Sequence, residues 1–170
     1  LCTEDMSYDF KMSCILGLAG CHGTRGETTS AQKLYNKAVV LAKEHGNSID
    51  LMYVYGKLGC LSQQMRHYTR AHCLFKKQRE LAFNIDNHDE MLACDASMAG
   101  CKWAEARSGC GSASTRKNAM REAGELLVGS LTSAESCGDN GLYSQILLCI
   151  ALQRYDTGEH CWALIYLEKL

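Results

Sequence analysis

Apolar positions recur three and four residues apart through most of the chain, the period of a helix with one buried face. Short polar clusters interrupt them at Glu44-His45-Gly46-Asn47, Asn84-Ile85-Asp86-Asn87 and Ser136-Cys137-Gly138-Asp139. Glycine and asparagine tolerate the left-handed conformation that closes a helix, so each cluster reads as a helix stop. The pattern predicts helices over 7–22, 28–45, 48–64, 68–85, 88–106, 119–137, 141–155 and 159–170. The chain has no proline, the residue that would remove a backbone donor and interrupt them.

The helices repeat. Leu18-Ala19-Gly20, Leu58-Gly59-Cys60 and Met98-Ala99-Gly100 stand 40 residues apart, each setting a large apolar residue beside a small one. Twelve residues after Ala19 and Gly59 come Ala31 and Ala71, followed four later by Tyr35 and Phe75. The marks return as Ala151, then Ala163 and Leu167. One step departs: Ala99 to Ala123 is 24 residues instead of 12. The surplus falls in a segment rich in glycine and serine, which predicts an enlarged turn at 107–118. Small residues let the two helices of a hairpin approach closely. Large ones such as Leu58, Phe75 and Leu167 are expected to fill the space between hairpins, since one hairpin cannot bury its apolar face alone.

These marks resemble the tetratricopeptide repeat (TPR), with a small and a tyrosine-like residue on its first helix and a small and an aromatic residue on its second. Tyr55-Gly56-Lys57-Leu58-Gly59, running on to His67-Tyr68-Thr69-Arg70-Ala71 and Phe75, is the best match. Gly158-Glu159-His160, leading to Ala163 and Leu167, is the next. The resemblance implies an all-α fold, a right-handed α-α solenoid of about four TPR-like helical hairpins in a single domain over 1–170. Its repeats would be 7–45, 48–85, 88–137 and a truncated 141–170. A 40-residue period is similar to the longer repeats of the Pins/LGN adaptors, rapsyn and the tonsoku-like scaffold. Pins/LGN grooves carry asparagines beside the small residue of the first helix. Here those places hold Lys57 and Cys60, Ser97 and Gly100, Cys149 and Leu152.

The resemblance also implies that first helices line a concave groove holding a protein or peptide partner. The residues facing it would be Tyr53, Gly56, Lys57, Cys60 and Gln63 in the second repeat. The third would offer Ala93, Ala96, Gly100 and Trp103, and the fourth Gln145, Leu148, Cys149, Leu152 and Tyr155. Tyr53, Trp103 and Tyr155 are the hot-spot candidates, because large aromatics gain most when a partner covers them. Lys57 and Gln63 would orient the partner through hydrogen bonds. A plainer reading has Trp103 and Tyr155 packing on an adjacent turn and the polar residues simply solvated. The 107–118 turn, where Ser112, Ser114 and Thr115 adjoin Arg116 and Lys117, is a second candidate site, for phosphorylation. Self-association through the open repeat end at Leu170 is expected.

Composition narrows the function. A net charge of −1 gives no electrostatic footprint for nucleic acid or an anionic membrane. No apolar run approaches the roughly 18 residues of a membrane span. The eleven cysteines, set in helical stripes without any Asn-x-Ser/Thr site, read as reduced core thiols of an intracellular protein, cytoplasmic or nuclear. No signal-peptide pattern precedes the helices, and the chain reads as a fragment of a longer protein. Cys94, Cys101 and Cys110 lack the close ligand pairing of a zinc site. Cys21-His22, His72-Cys73 and His160-Cys161 point about 100° apart on a helix, with no third group to orient them. Cys14/Cys21 and Cys94/Cys101 would lie about 10 Å apart, beyond disulfide reach. Gly109-Cys110-Gly111 lacks the strand and lysine of a phosphate loop. The expectation is a non-catalytic scaffold or adaptor without metal or cofactor. The alternatives are a cysteine-dependent redox or metal-binding protein and a structural spacer within a larger enzyme or complex.

Overall fold

A computed structural model describes residues 7–109, 112–138 and 140–170. The described residues form helices α1 (Tyr8–Thr24), α2 (Thr28–Glu44), α3 (Ser48–Gln64), α4 (Tyr68–Asn84), α5 (His88–Arg107), α6 (Ala113–Cys137), α7 (Asn140–Asp156) and α8 (His160–Leu167). No strand occurs among them.

The first four helices are each 17 residues long, separated by three-residue turns. Side-chain caps start alternate helices at the 40-residue period. Ser7 Oγ, Asn47 Oδ1 and Asn87 Oδ1 accept the amides of Phe10, Asp50 and Glu90. Each satisfies a donor that the first helical turn leaves free. The stops repeat too. A left-handed residue stands at Gly26, Gly46, Arg66, Asp86 and Gly158. The next amide donates back to a carbonyl five residues earlier: Asn47 to Ala42 at 3.0 Å, His67 to Ser62 at 2.8 Å, Asn87 to Ala82 at 2.9 Å. This is the Schellman closure.

Arg66, at φ 59°, meets the steric cost of about 1–2 kcal/mol that glycine avoids. Glycine brings back about 0.5–1 kcal/mol of unfolded-chain entropy. Arg66→Gly should therefore stabilise the protein by about 0.5–1 kcal/mol. A denaturation midpoint at or below the parent's would refute that balance.

The chain packs as two units, Leu1–Leu81 and Ala82–Leu170. In the first, α1 lies on α2 and α2 on α3. The small register residues Ala19, Ala31 and Ala71 are fully buried. Around Ala19 and Ala31 pack Tyr35, Val54, Tyr55 and Leu58, each contributing about 1.5–3 kcal/mol if wholly buried. Gly59 meets the Phe75 ring so closely that a Cβ there would sit 2.6 Å from it. The Tyr8 hydroxyl donates to Asp50 at 2.5 Å and its ring stacks on His45 at 4.4 Å, tying α1 to the turn before α3. Burial and then the Asp50 hydrogen bond push the Tyr8 phenol up to about 12.

In the second unit α5 packs on α6, α6 on α7, and α7 on α8. Ala99, Ala123, Leu127, Ala134, Ile146 and Ile150 form its core. A Lys102–Glu122 ion pair joins α5 to α6, and its hydrogen bond holds the Glu122 carboxyl below the usual carboxylate range.

Three expectations change. The enlarged turn at 107–118 is largely helix: Ser112 Oγ accepts the Thr115 amide at 3.1 Å, and α6 begins at Ala113. Ala113-Ser114-Thr115-Arg116-Lys117-Asn118 contains no glycine or proline, so a capped helix propagates through it. Cys110 and Gly111 of that segment, and Asp139 of the third polar cluster, lie outside the described residues. Leu18 and Leu167 are exposed at 55% and 44%, although their counterparts Leu58 and Phe75 are buried. Among the described residues no helix precedes α1 or follows α8 to cover them. The described cysteines are not mainly core residues. Cys94 and Cys101 are buried, whereas Cys14, Cys21, Cys60, Cys73 and Cys161 are exposed free thiols. On α1 the buried positions are Met12 and Ala19, and Cys14 and Cys21 each follow two residues later, about 200° around the helix.

Candidate functional site

Each unit presents a separate first-helix face. On α3, burying Val54, Tyr55, Leu58 and Leu61 leaves the opposite side open. Ile49, Tyr53, Lys57, Cys60 and Gln64 are exposed there, spaced three and four residues apart. Tyr53 and Lys57 are brought together, the ammonium 4.9 Å from the ring centroid. This cation–π contact holds the tyrosine as an open platform. Gln63 does not share the stripe: it is half-buried, and its neighbour Gln64 continues the exposed line. Gly56 is held against Gln78 of α4. Ile49 and Gln64 were missed by sequence reasoning, although stepping four back from Tyr53 and seven on from Lys57 reaches both.

On α5, Trp103 is half-buried against the core of the second unit. The Arg107 guanidinium lies 5.1 Å from its ring centroid, and Arg107 pairs with Asp156 of α7 at 3.1 Å. The Trp103 indole N–H is buried without a hydrogen-bond acceptor among the described residues. Ala93, Ala96 and Gly100 are also half-buried. On α7, Gln145, Leu148, Leu152 and Tyr155 are exposed at helical spacing, Tyr155 at 63%. Tyr155 leans on His160 across the following turn, with ring centroids 5.0 Å apart, but keeps most of its surface open. Gln63, Trp103 and Tyr155 hold equivalent repeat positions, yet only Tyr155 is exposed.

Desolvation pushes the Cys60 and Cys149 thiols above their ordinary value, and Lys57 only partly opposes this at Cys60. A smaller thiolate fraction means lower reactivity. Among the described residues no group of three His, Cys, Asp or Glu side chains is placed to hold a metal ion. No described helix is long and apolar enough to cross a membrane.

Comparison of the backbone with solved structures identifies the architecture. BtubC (BKLC) from P. vanneervenii superposes with a TM-score of 0.76 over 98% of this chain, at 14% identity. A Podosopora anserina protein of kinesin light chain type, with nearly identical TPR-like repeats, gives 0.69 over 92% at 16% identity. The fold is TPR-like. It is an all-α solenoid of helical hairpins, and the 40-residue register is its sequence trace. The chain spans 64% of the length of BtubC and 72% of the kinesin-light-chain-type protein. No protein-family model matches the chain, and no curated protein matches it in sequence.

Proposed function

We propose that the protein is a non-catalytic interaction scaffold in which the first-helix faces, each within its own unit, hold an extended segment or helix of a partner protein. The observation that carries this reading is the line Leu148, Leu152 and Tyr155 on α7, exposed on a helix whose opposite face is core. Solvent-facing apolar and aromatic side chains in register gain most from coverage by a partner. The Tyr53–Lys57 platform supplies the same combination on α3. The TPR-like architecture supports the reading, since stacked hairpins use such surfaces for binding. The 40-residue period keeps the likeness to the longer repeats of Pins/LGN, rapsyn and tonsoku-like scaffolds within this proposal. A Pins/LGN-type asparagine clamp is not part of it, because Lys57, Ser97 and Cys149 stand where asparagines would.

The test is comparative affinity purification with mass spectrometry on the parent and a Tyr53→Ala, Leu148→Ala, Leu152→Ala variant. These exposed positions should each change stability by no more than about 0.5 kcal/mol, so the variant folds. Partners captured by the parent should be lost from the variant. An identical set of partners from both proteins would refute binding on these faces.

A further inference from the structure

The long helix α6 builds a further surface within the second unit. Ala31 and Ala71 stand three residues into α2 and α4, whereas the equivalent Ala123 stands ten residues into α6. Seven additional residues, about 10 Å of helix, thus precede the point where α6 enters the core. This overhang roofs a cleft of about 1100 Å³, bounded by the end of α5, the first half of α6, the end of α7 and the α7–α8 turn.

The cleft is cationic in a chain that is not. Arg107, Arg116, Lys117, Arg121 and Arg154 line it against only two carboxylates, Glu125 and Glu159. The lining carries +3, while the whole chain carries −1. Most of the cationic charge is compensated, which leaves Arg116 and Lys117: Arg121 pairs with Glu125 and Arg154 with Glu159, both at 2.7 Å, and Arg107 with Asp156. Arg116 and Lys117 have no acidic partner among the described residues. The Arg154 Nε–H is buried with no acceptor among them. Met120 and Val128 add apolar lining. Gln153, whose amide donates to the Met120 carbonyl at 2.5 Å, fixes α6 to α7 beneath them.

We infer that this cleft is a docking site for an acidic peptide segment of a partner protein, one interleaving carboxylates with apolar side chains. Its carboxylates meet Arg116 and Lys117, and its apolar residues cover Met120 and Val128. Nucleic acid fits less well, because Glu125 and Glu159 would repel a continuous phosphate backbone and the overall charge gives no long-range attraction.

The experiment is fluorescence anisotropy with a labelled peptide alternating glutamate and leucine, titrated with the whole chain. Arg116→Glu combined with Lys117→Glu should weaken binding at least about tenfold, the effect of losing two charge-assisted contacts. The variant should fold, because acidic side chains are favoured near a helix N-terminus. Circular dichroism checks this, and Arg116→Gln with Lys117→Gln replaces it otherwise. Lys33→Glu with Lys37→Glu, the same charge change on α2, should leave affinity unchanged. A peptide with glutamine for glutamate should not bind. No binding of the acidic peptide, equal binding by the α6 variant, an equal loss in the α2 variant, or tighter binding of labelled oligouridylate would overturn the inference.

Discussion

Leu127→Ala should cost the second unit about 2–5 kcal/mol, against about 0.5 kcal/mol or less for Leu167→Ala. Both residues stand four after the small mark of a second helix, as Tyr35 and Phe75 do. Only their surroundings differ. Leu127 is 1% exposed among Ala99, Ala123, Ile146 and Ile150, drawn from three helices, so its removal opens a cavity that rigid neighbours cannot fill. Leu167 loses little that water did not already reach. A domain stability of about 5–15 kcal/mol makes the first change a large fraction of the total. In a stack whose hairpins touch only neighbours, faster amide exchange should concentrate in α5–α7. Chemical denaturation of the two variants checks this, and equal losses would show that α6 is not seated as described.

Gly59→Ala and Gly17→Ala should move stability in opposite directions. Alanine is the better helix residue by about 1 kcal/mol, and a Cβ at Gly17 would meet nothing within 4 Å. At Gly59 it would lie 2.6 Å, 2.8 Å and 2.9 Å from three Phe75 ring carbons. The ring belongs to a buried side chain and cannot swing into solvent. Overpacking of this kind costs about 1–3 kcal/mol, which exceeds the propensity gain. Trimming the ring with Phe75→Leu should restore part of the loss in the Gly59→Ala background, a coupling that a double-mutant cycle measures. Stabilisation by Gly59→Ala would break the assigned contact between α3 and α4.

The repeat was legible because it is written in small residues. Ala19, Gly59, Ala99 and Ala151, with Ala31, Ala71, Ala123 and Ala163, are all buried where helices come closest. Steric necessity at such contacts leaves a regular trace. The length of α6 was not legible, since the glycines and serines of 107–112 cast the helix-forming residues after them as part of one turn. Local composition could not show that Ser112 caps a helix there. The exposed stripe of α3 was legible to within a residue, since Tyr53 and Lys57 share it but Gln64 and not Gln63 extends it, whereas Trp103 on α5 is half-buried. One residue shifts a side chain by about 100° around a helix, and only the packing of α3 fixes which one faces out. The cationic cleft lay beyond sequence reasoning because its residues come from three helices and a turn.

Hydrogen–deuterium exchange with and without a partner captured by the parent but not by the Tyr53, Leu148 and Leu152 variant tests the scaffold reading most directly. Exchange should slow in α3 around Tyr53–Gln64 and in α7 around Gln145–Tyr155, while α2 and α4 change little. Protection confined to those second helices, or absent throughout, would contradict binding on the first-helix faces.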